Sequence, residues 1–473
     1  MLKRKAYNAL VEWKGRAHKP LLVKGQRQVG KTFIIEAFAK EYYPHFVIVD
    51  FRENVKAKAV FTENLDVDSI IRGLEILYPD AIFEPGSTLI LFDEIQDCLL
   101  AYSSLKYFSL DGRYDVIASG SLLGITLNKS KKKEEEEDEM DASPSVPVGY
   151  TEHLTMYSLD FEEFLWAKGI KDEHIAMLRK SIHDRIPLSK AIHFAMESYF
   201  REFMIVGGMP EVVQNFVDTK RFNGAIGIQK RLLNDAIADI NKYNTPINAA
   251  KTVECFNSIP NQLAESNKKF MYSRVDGGGS RKSSERYSEN LLWIKNAGYG
   301  NFCYKVSSVE LSLVAREDHS HFKVYFSDTG LLMSMYDDDV REAVALGDSR
   351  VNLGAIAENV VAECMVKCGI TPRYYSKNSG DNRMELDFVG KIGRDLVVME
   401  VKSGKDREAP SLSKVSSVFK VDRRMMFEDT NIRVSDDGVE HYPLYAAAFM
   451  DSMGDSMDID DIPWTEPIDF DTV

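Results

Sequence analysis

The chain has 473 residues, 44% of them hydrophobic, and carries a net charge of −14 at pH 7. That length holds two or three domains, each able to bury a proper core. It contains no apolar run of the roughly eighteen residues a membrane span needs, and the start, Met-Leu-Lys-Arg-Lys-Ala-Tyr, lacks the apolar core of a signal peptide. The charge argues against a broad basic surface for nucleic acid. More than half of it, however, sits in one tail, Asp451 to Val473, which has eight acidic residues and no Lys or Arg. The five cysteines, Cys98, Cys255, Cys303, Cys364 and Cys368, are scattered and odd in number, as reduced cytoplasmic thiols are. Cys364 and Cys368 fall one helical turn apart with no His or further Cys close by, and read as core thiols rather than metal ligands.

In chain order, the first feature is a short apolar strand, Pro20–Val23, leading into Gly25-Gln26-Arg27-Gln28-Val29-Gly30-Lys31-Thr32. This is the pattern G-x-x-x-x-G-K-[ST], and Thr32–Lys40 continues it as a helix. Backbone N–H groups of such a turn, with the positive end of the helix dipole, cradle polyphosphate. Lys31 supplies a point charge for the outer phosphates, and the Thr32 hydroxyl can ligate Mg²⁺. The expected ligands are therefore a nucleotide and Mg²⁺. No guanine-reading N/T-K-x-D string stands in the expected place, which makes ATP the default.

A strand at Phe46–Phe51 follows, and then Thr88–Phe92, which ends in Asp93 and Glu94. Asp93 suits the metal shell, and Glu94 can polarise the water that attacks the γ-phosphate. The strand Tyr114–Ser119 ends in Ser119-Gly-Ser121, where Ser121 is placed to sense that phosphate or orient the water. Alternation of apolar strands with helical patterns predicts a parallel α/β sheet over residues 1–165, with helices on both faces. Residues 129–147 form a low-complexity insertion within it, four Lys against seven Asp and Glu between Lys129 and Asp141.

Residues 166–250 carry helical periodicity, as in Ala191–Phe203 and Ala225–Tyr243, and form a lid-like helical region. Gly207-Gly208-Met209-Pro210 marks a tight break between two of its helices. Residues 251–340 show helical patterns around Cys255–Ser266 and Tyr287–Ala297, then strands at Phe302–Val306 and Phe322–Phe326. That order suggests a winged-helix-like linker domain. It either contacts DNA through Lys268, Lys269, Arg274, Arg281, Lys282 and Arg286 or serves as a packing spacer. The glycine-rich stretch Val275–Glu285 reads as a flexible loop.

Residues 350–450 carry a second chemistry. Glu358 lies on an amphipathic helix, Leu353–Cys368, and Asp387 on a strand; Glu400 and Lys402, two apart, share one face of the next strand. Asp387 and Glu400 could bind Mg²⁺ jointly, with Lys402 steadying a hydroxide or a phosphate charge. The alternative is an acidic surface hairpin.

With these motifs in view, the chain resembles the bacterial and archaeal AAA-type ATPases that pair an N-terminal P-loop domain with a C-terminal domain of unknown function. The resemblance rests on Gly25–Thr32, Leu91-Phe-Asp-Glu-Ile-Gln96, Ser119-Gly-Ser121 and Leu159-Asp-Phe-Glu-Glu-Phe-Leu165. It extends through Gly207-Gly-Met-Pro210, Asp239-Ile-Asn-Lys-Tyr243 and Lys323-Val-Tyr-Phe-Ser-Asp-Thr-Gly-Leu-Leu332. It implies a restriction-endonuclease-like fold for residues 350–450, with Asp387, Glu400 and Lys402 on the core signature. Hydrolysis in AAA-type proteins commonly takes an arginine from a neighbouring subunit or a sensor helix. Arg185, Arg201 and Arg231 are the candidates, and a neighbouring subunit would mean a homo-oligomer. Many relatives have Gly-Arg where this chain has Gly149-Tyr150. Three readings stay open: an ATPase coupled to its C-terminal domains, an ATP-regulated DNA nuclease, and a nucleotide-dependent DNA-binding regulator or interaction scaffold.

Overall fold

The computed structural model describes residues 1–121, 146–265, 267–275, 283–347, 353–377, 383–403 and 410–455. Most of the 129–147 insertion, the centre of the Val275–Glu285 loop and the tail beyond Asp455 lie outside the described residues.

The N-terminal unit is built on α1 (Lys5–Lys14), β1 (Leu21–Lys24), α2 (Lys31–Tyr42), β2 (His45–Asp50) and α3 (Val67–Leu77). It continues with β3 (Thr88–Asp93), α4 (Leu99–Asp111), β4 (Asp115–Gly120) and β5 (Glu152–Thr155). The five strands form one parallel sheet in the order β2-β3-β4-β1-β5. Every residue of β3 is buried, which is why that strand reads as an unbroken apolar run rather than an alternating one. Helices cover both faces. Ile34, Ile35 and Phe38 of α2 pack on one, and Ile70 and Leu74 of α3 with Leu105 and Phe108 of α4 pack on the other. Because the strands are parallel, the turn after β1 and the ends of β3 and β4 meet at one edge of the sheet.

Helices fill the middle: α5 (Phe161–Ala167), α6 (Asp172–His183), α7 (Lys190–Val206), α8 (Pro210–Thr219), α9 (Phe222–Tyr243), α10 (Pro246–Leu263) and α11 (Ser283–Asn296). No helix among the described residues is long and apolar enough to cross a membrane. Asp160 caps α5 through a reciprocal pair with Glu163, the capping box written into Asp-Phe-Glu-Glu. The break at Gly207–Pro210 separates α7 from α8. A Cβ on Gly208 would run into the backbone of Leu159, so the close approach there excludes any larger residue.

The rest comprises β6 (Gly300–Val306), β7 (Glu317–Phe326), α12 (Thr329–Ser334), α13 (Asp338–Leu346), α14 (Gly354–Lys367), β8 (Arg373–Lys377), β9 (Met384–Ile392) and β10 (Asp395–Val401). It closes with α15 (Pro410–Val415), β11 (Arg423–Glu428), β12 (Arg433–Val434) and β13 (Glu440–Pro443). The hairpin β6–β7, expected to close a separate winged-helix-like unit, instead extends the C-terminal sheet. Tyr304 to Val306 of β6 pair in parallel with Arg373 to Tyr375 of β8. The result is one mixed sheet of eight strands, β12-β13-β11-β10-β9-β8-β6-β7. The free backbone edge of β6 is satisfied by β8, so the 251–340 and 350–450 segments share a sheet rather than a linker.

One hydrophobic core runs through both halves, from Leu10 and Phe38 to Phe427 and Phe449. Phe161 of α5 meets Phe449 at 6.3 Å between ring centroids. The last described helix, Leu444–Ser452, thus packs against the element that follows the first sheet.

Candidate functional site

The turn after β1 and the first turn of α2 form a tight cradle. Gly25 has φ of 157°, and a Cβ there would clash with the carbonyl of Met156. Gly30 enters α2 in the left-handed region. Gln28, which is not glycine, also has a positive φ of 62°, a strain the surrounding contacts hold in place. Lys31 is buried and donates to the carbonyls of Gly25 and Gln26, both at 2.9 Å. Burial pushes its ammonium down to about 8, with Glu94 and Asp93 pulling the other way.

The acids stand opposite. The Thr32 hydroxyl donates to Asp93 Oδ2 at 2.8 Å, and Ser119 donates to Asp93 Oδ1. The strand order explains this convergence: β4 lies between β3 and β1, so Ser119 reaches sideways to Asp93 while Thr32 comes from the next position along. Glu94 sits just beyond the strand with φ of 52°, its carboxylate held by Gln96 and faced by Arg52 at 3.5 Å. The Ser121 hydroxyl is buried and has no hydrogen-bond partner among the described residues. A pocket of about 320 Å³ opens over the loop between Arg27, Arg52, Glu94, Asp235, Asp239 and Tyr299. A second, of about 500 Å³, lies on the other flank and is mostly apolar, with Leu2, Phe33, Ile34, Met156 and Pro210 around Gly30.

None of the three arginine candidates lies beside Glu94 in the chain. Arg185 pairs with Glu440 at 3.0 Å, Arg231 pairs with Glu211, and Arg201 lines a cavity with Phe200, Ile356 and Tyr445. The arginines that line the Glu94 pocket are Arg52 and Arg27. Arg52, just past the end of β2, touches Glu94 and Asp97, both at 3.5 Å, and donates to the Tyr243 hydroxyl at 2.9 Å. Arg27 is turned inward onto Asp239 rather than toward solvent. Sequence reading missed Arg52; its signal was its place after a strand that pairs with β3, which puts it at the same sheet edge.

In the C-terminal sheet, Asp387 on β9 stands across from Glu400 on β10, in the register that pairs Phe388 with Met399. Asp387 accepts the Val401 amide at 3.0 Å, and Lys402 stands 3.6 Å from Glu400. Burial, reinforced by Asp387, holds the Glu400 carboxyl well above the usual range. Glu358, whose charge also bears on Glu400, is held by other partners: Lys268 donates to it at 2.5 Å, Tyr325 at 3.1 Å, and Lys323 lies 3.6 Å away. Among the described residues no group of three or more His, Cys, Asp or Glu is arranged to hold a metal ion. Lys268 and Arg274, expected as DNA contacts, are paired with Glu358 and Glu265; Arg281 and Lys282 lie outside the described residues.

A family model described as an AAA domain matches residues 17–165, the segment that carries the loop, Asp93, Glu94 and the parallel sheet. Residues 17–165 are an AAA-type P-loop domain. Beyond this AAA domain, residues 197–342 and 353–446 match two models described as domains of unknown function, DUF8612 and DUF4143. The structure is similar to that of the Walker-type ATPase PABY2304 of Pyrococcus abyssi. Identity is 14% and the TM-score 0.42, over 71% of this chain and 96% of that one. AMPPCP-bound DnaA from Aquifex aeolicus is 13% identical with a TM-score of 0.27, over 62% of this chain and 86% of that one. No curated protein matches the chain.

Proposed function

We propose that the chain binds ATP with Mg²⁺ and hydrolyses it, the AAA domain acting on the helical and C-terminal halves packed against it. The observation that carries this reading is the meeting of Thr32 and Asp93 at 2.8 Å beside the buried Lys31. A hydroxyl and a carboxylate brought together at the mouth of an amide cradle form a hard-oxygen pair. That pair suits Mg²⁺, which keeps waters and phosphate oxygens as its remaining ligands. When bound, the metal would supply charge neutralisation at the outer phosphates. Gly25–Thr32 hold the phosphates by backbone N–H groups, and Lys31 turns from its own carbonyls to a phosphate oxygen. Glu94 takes the proton of the attacking water, and Ser121 offers its unpaired hydroxyl to the water or the γ-phosphate. The apolar pocket beside Gly30 receives the base, with the exposed Phe33 ring as its stacking face.

Glu94→Gln tests the assignment. It preserves shape and removes the base, so nucleotide binding stays within about twofold while turnover falls roughly 100-fold or more. Turnover equal to the parent's would reassign the base.

The nuclease reading is second. It is favoured by the juxtaposition of Asp387 and Glu400 on adjacent strands, with Lys402 one residue past the end of β10 and not, as the sequence had suggested, on it. The engagement of Glu358 by two lysines weighs against it. Mg²⁺-dependent nicking of plasmid DNA that is lost in Asp387→Ala would move it to first place.

A further inference from the structure

The three polar side chains in the middle of the phosphate loop, Gln26, Arg27 and Gln28, are each bonded to a residue outside the AAA domain. Ser327, after β7, donates to Gln26 Oε1 at 3.3 Å. Gln28 donates to Asp235 Oδ2 at 3.1 Å. Arg27 forms an ion pair with Asp239 and lies 5.7 Å from the Tyr243 ring centroid. Asp235, Asp239 and Tyr243 follow one another at intervals of four on α9 (Phe222–Tyr243) and so share the face above the loop. The same Tyr243 hydroxyl accepts from Arg52, which faces Glu94.

The Arg27–Asp239 pair is largely withdrawn from water, with side-chain exposures of 19% and 10%. Separating it would leave a charge poorly solvated unless another anion takes the place of the carboxylate. Arg27 Nε is also buried and has no hydrogen-bond partner among the described residues, which leaves a spare donor on the guanidinium. Arg27 borders the same pocket as Glu94. On the reading in which Glu94 faces the γ-phosphate, sharing that pocket assigns Arg27 to the terminal-phosphate end. A phosphate offers the planar fork of arginine the same pair of acceptors that a carboxylate does.

We infer that Asp239 and the γ-phosphate compete for Arg27, so that this pair sets the discrimination between nucleoside triphosphate and diphosphate and reports it to α9. The inference rests on the proposed nucleotide site. A triphosphate draws Arg27 off Asp239; the freed carboxylate then faces a polyanion, and α9 shifts away from the loop. A diphosphate leaves the ion pair closed. Helix α9 packs on α8, α10 and α12, and α12 packs on α14 of the C-terminal half, so its displacement reaches that half directly. The Asp239-Ile-Asn-Lys-Tyr243 string thereby acquires a role, since its first and last residues hold the two arginines that border the site.

The test is calorimetry of the full chain with Mg²⁺ and either a non-hydrolysable ATP analogue or ADP. The parent, Asp239→Asn, Arg27→Gln and the double variant are compared. Asp239→Asn keeps the shape of the side chain and removes the competing charge. It should tighten the triphosphate about tenfold and change ADP by less than about twofold. Arg27→Gln should lose the parent's preference for triphosphate, and adding Asp239→Asn to it should change nothing further. In the parent, amides of Phe222–Tyr243 should exchange faster with the triphosphate analogue than with ADP, a readout that needs no variant to fold. An unchanged triphosphate-to-diphosphate ratio in Asp239→Asn, weaker binding of both nucleotides, or identical exchange in α9 would overturn the inference while leaving the nucleotide site intact. Absence of binding in the parent itself would remove both.

Discussion

Asp328 accepts the Gly208 amide at 2.8 Å, and thereby ties the break between α7 and α8 to the turn after β7. The same carboxylate caps α12 by accepting from Leu331 at 3.1 Å. Both strings, Gly-Gly-Met-Pro and Asp-Thr-Gly-Leu-Leu, thus belong to one joint. Thr329 beside it donates to Glu363, which is held in turn by Lys367 at 2.6 Å. Lys367 also donates to the Leu159 carbonyl at 2.8 Å, which closes the circuit back to the AAA domain.

Asp328→Ala should therefore cost stability rather than chemistry. It orphans two buried N–H groups, that of Gly208 and the capped Leu331 N–H of α12, a loss of about 2–4 kcal/mol. Denaturant unfolding of the variant should show that loss, with nucleotide affinity retained at temperatures where it remains folded.

The position of Lys31 predicts a pH dependence of binding. Its ammonium is lowered to about 8 by burial, so in the free protein it loses its proton as pH rises through that value. Phosphate requires the charged form, and affinity should fall between pH 7 and 9. Above pH 8, binding should take up close to one proton, measurable as a buffer-dependent heat. For stability the sign is opposite. The unfolded chain binds more protons at this group between about 8 and 10.5, so the Lys31 contribution to stability rises with pH in that window.

Much of the AAA domain was legible because its motifs are local strings. The phosphate loop, the acids after β3 and the hydroxyls after β4 each follow an apolar run, and parallel pairing alone brings them to one edge. The expected strands fall within about one residue of β1 to β4. What the string could not give is contact between distant segments. Nothing in the loop string names a partner for Arg27, and only the placement of α9, over 200 residues on, reveals Asp239. The sharing of one sheet by the β6–β7 hairpin and the C-terminal strands was hidden for a like reason. Backbone pairing between β6 and β8 leaves little mark on side-chain pattern. Glu358 sat on the expected helix, but its lysine partners come from residues 268 and 323, far away in sequence.

The carboxyl pair of the C-terminal sheet makes a separate prediction. Folding raises the Glu400 carboxyl above its unfolded value, so its contribution to stability is lost as pH climbs from the ordinary glutamate range to that raised value. Glu400→Gln removes the penalty and should raise the unfolding midpoint near pH 8 by a few degrees, with less effect near pH 5, on the scale of about 1 kcal/mol. A thermal scan at the two pH values checks it.

Phe33 is 62% exposed on the first turns of α2, beside the apolar pocket. On the proposed reading this ring is the stacking face for the base. Phe33→Ala should weaken ATP by roughly 5- to 30-fold while leaving inorganic triphosphate unaffected, consistent with a stacking contribution of about 1–2 kcal/mol. Competition binding with the two ligands separates the base from the phosphates.

The central claim is that Gly25–Thr32, with Asp93, grips a magnesium-bound triphosphate. Calorimetric titration of the folded chain and of Lys31→Ala with ATP in the presence of Mg²⁺ tests it most directly. The account predicts saturable heat at one nucleotide per chain for the parent and its loss in Lys31→Ala. An absence of heat in the parent, or equal binding by both proteins, would contradict it.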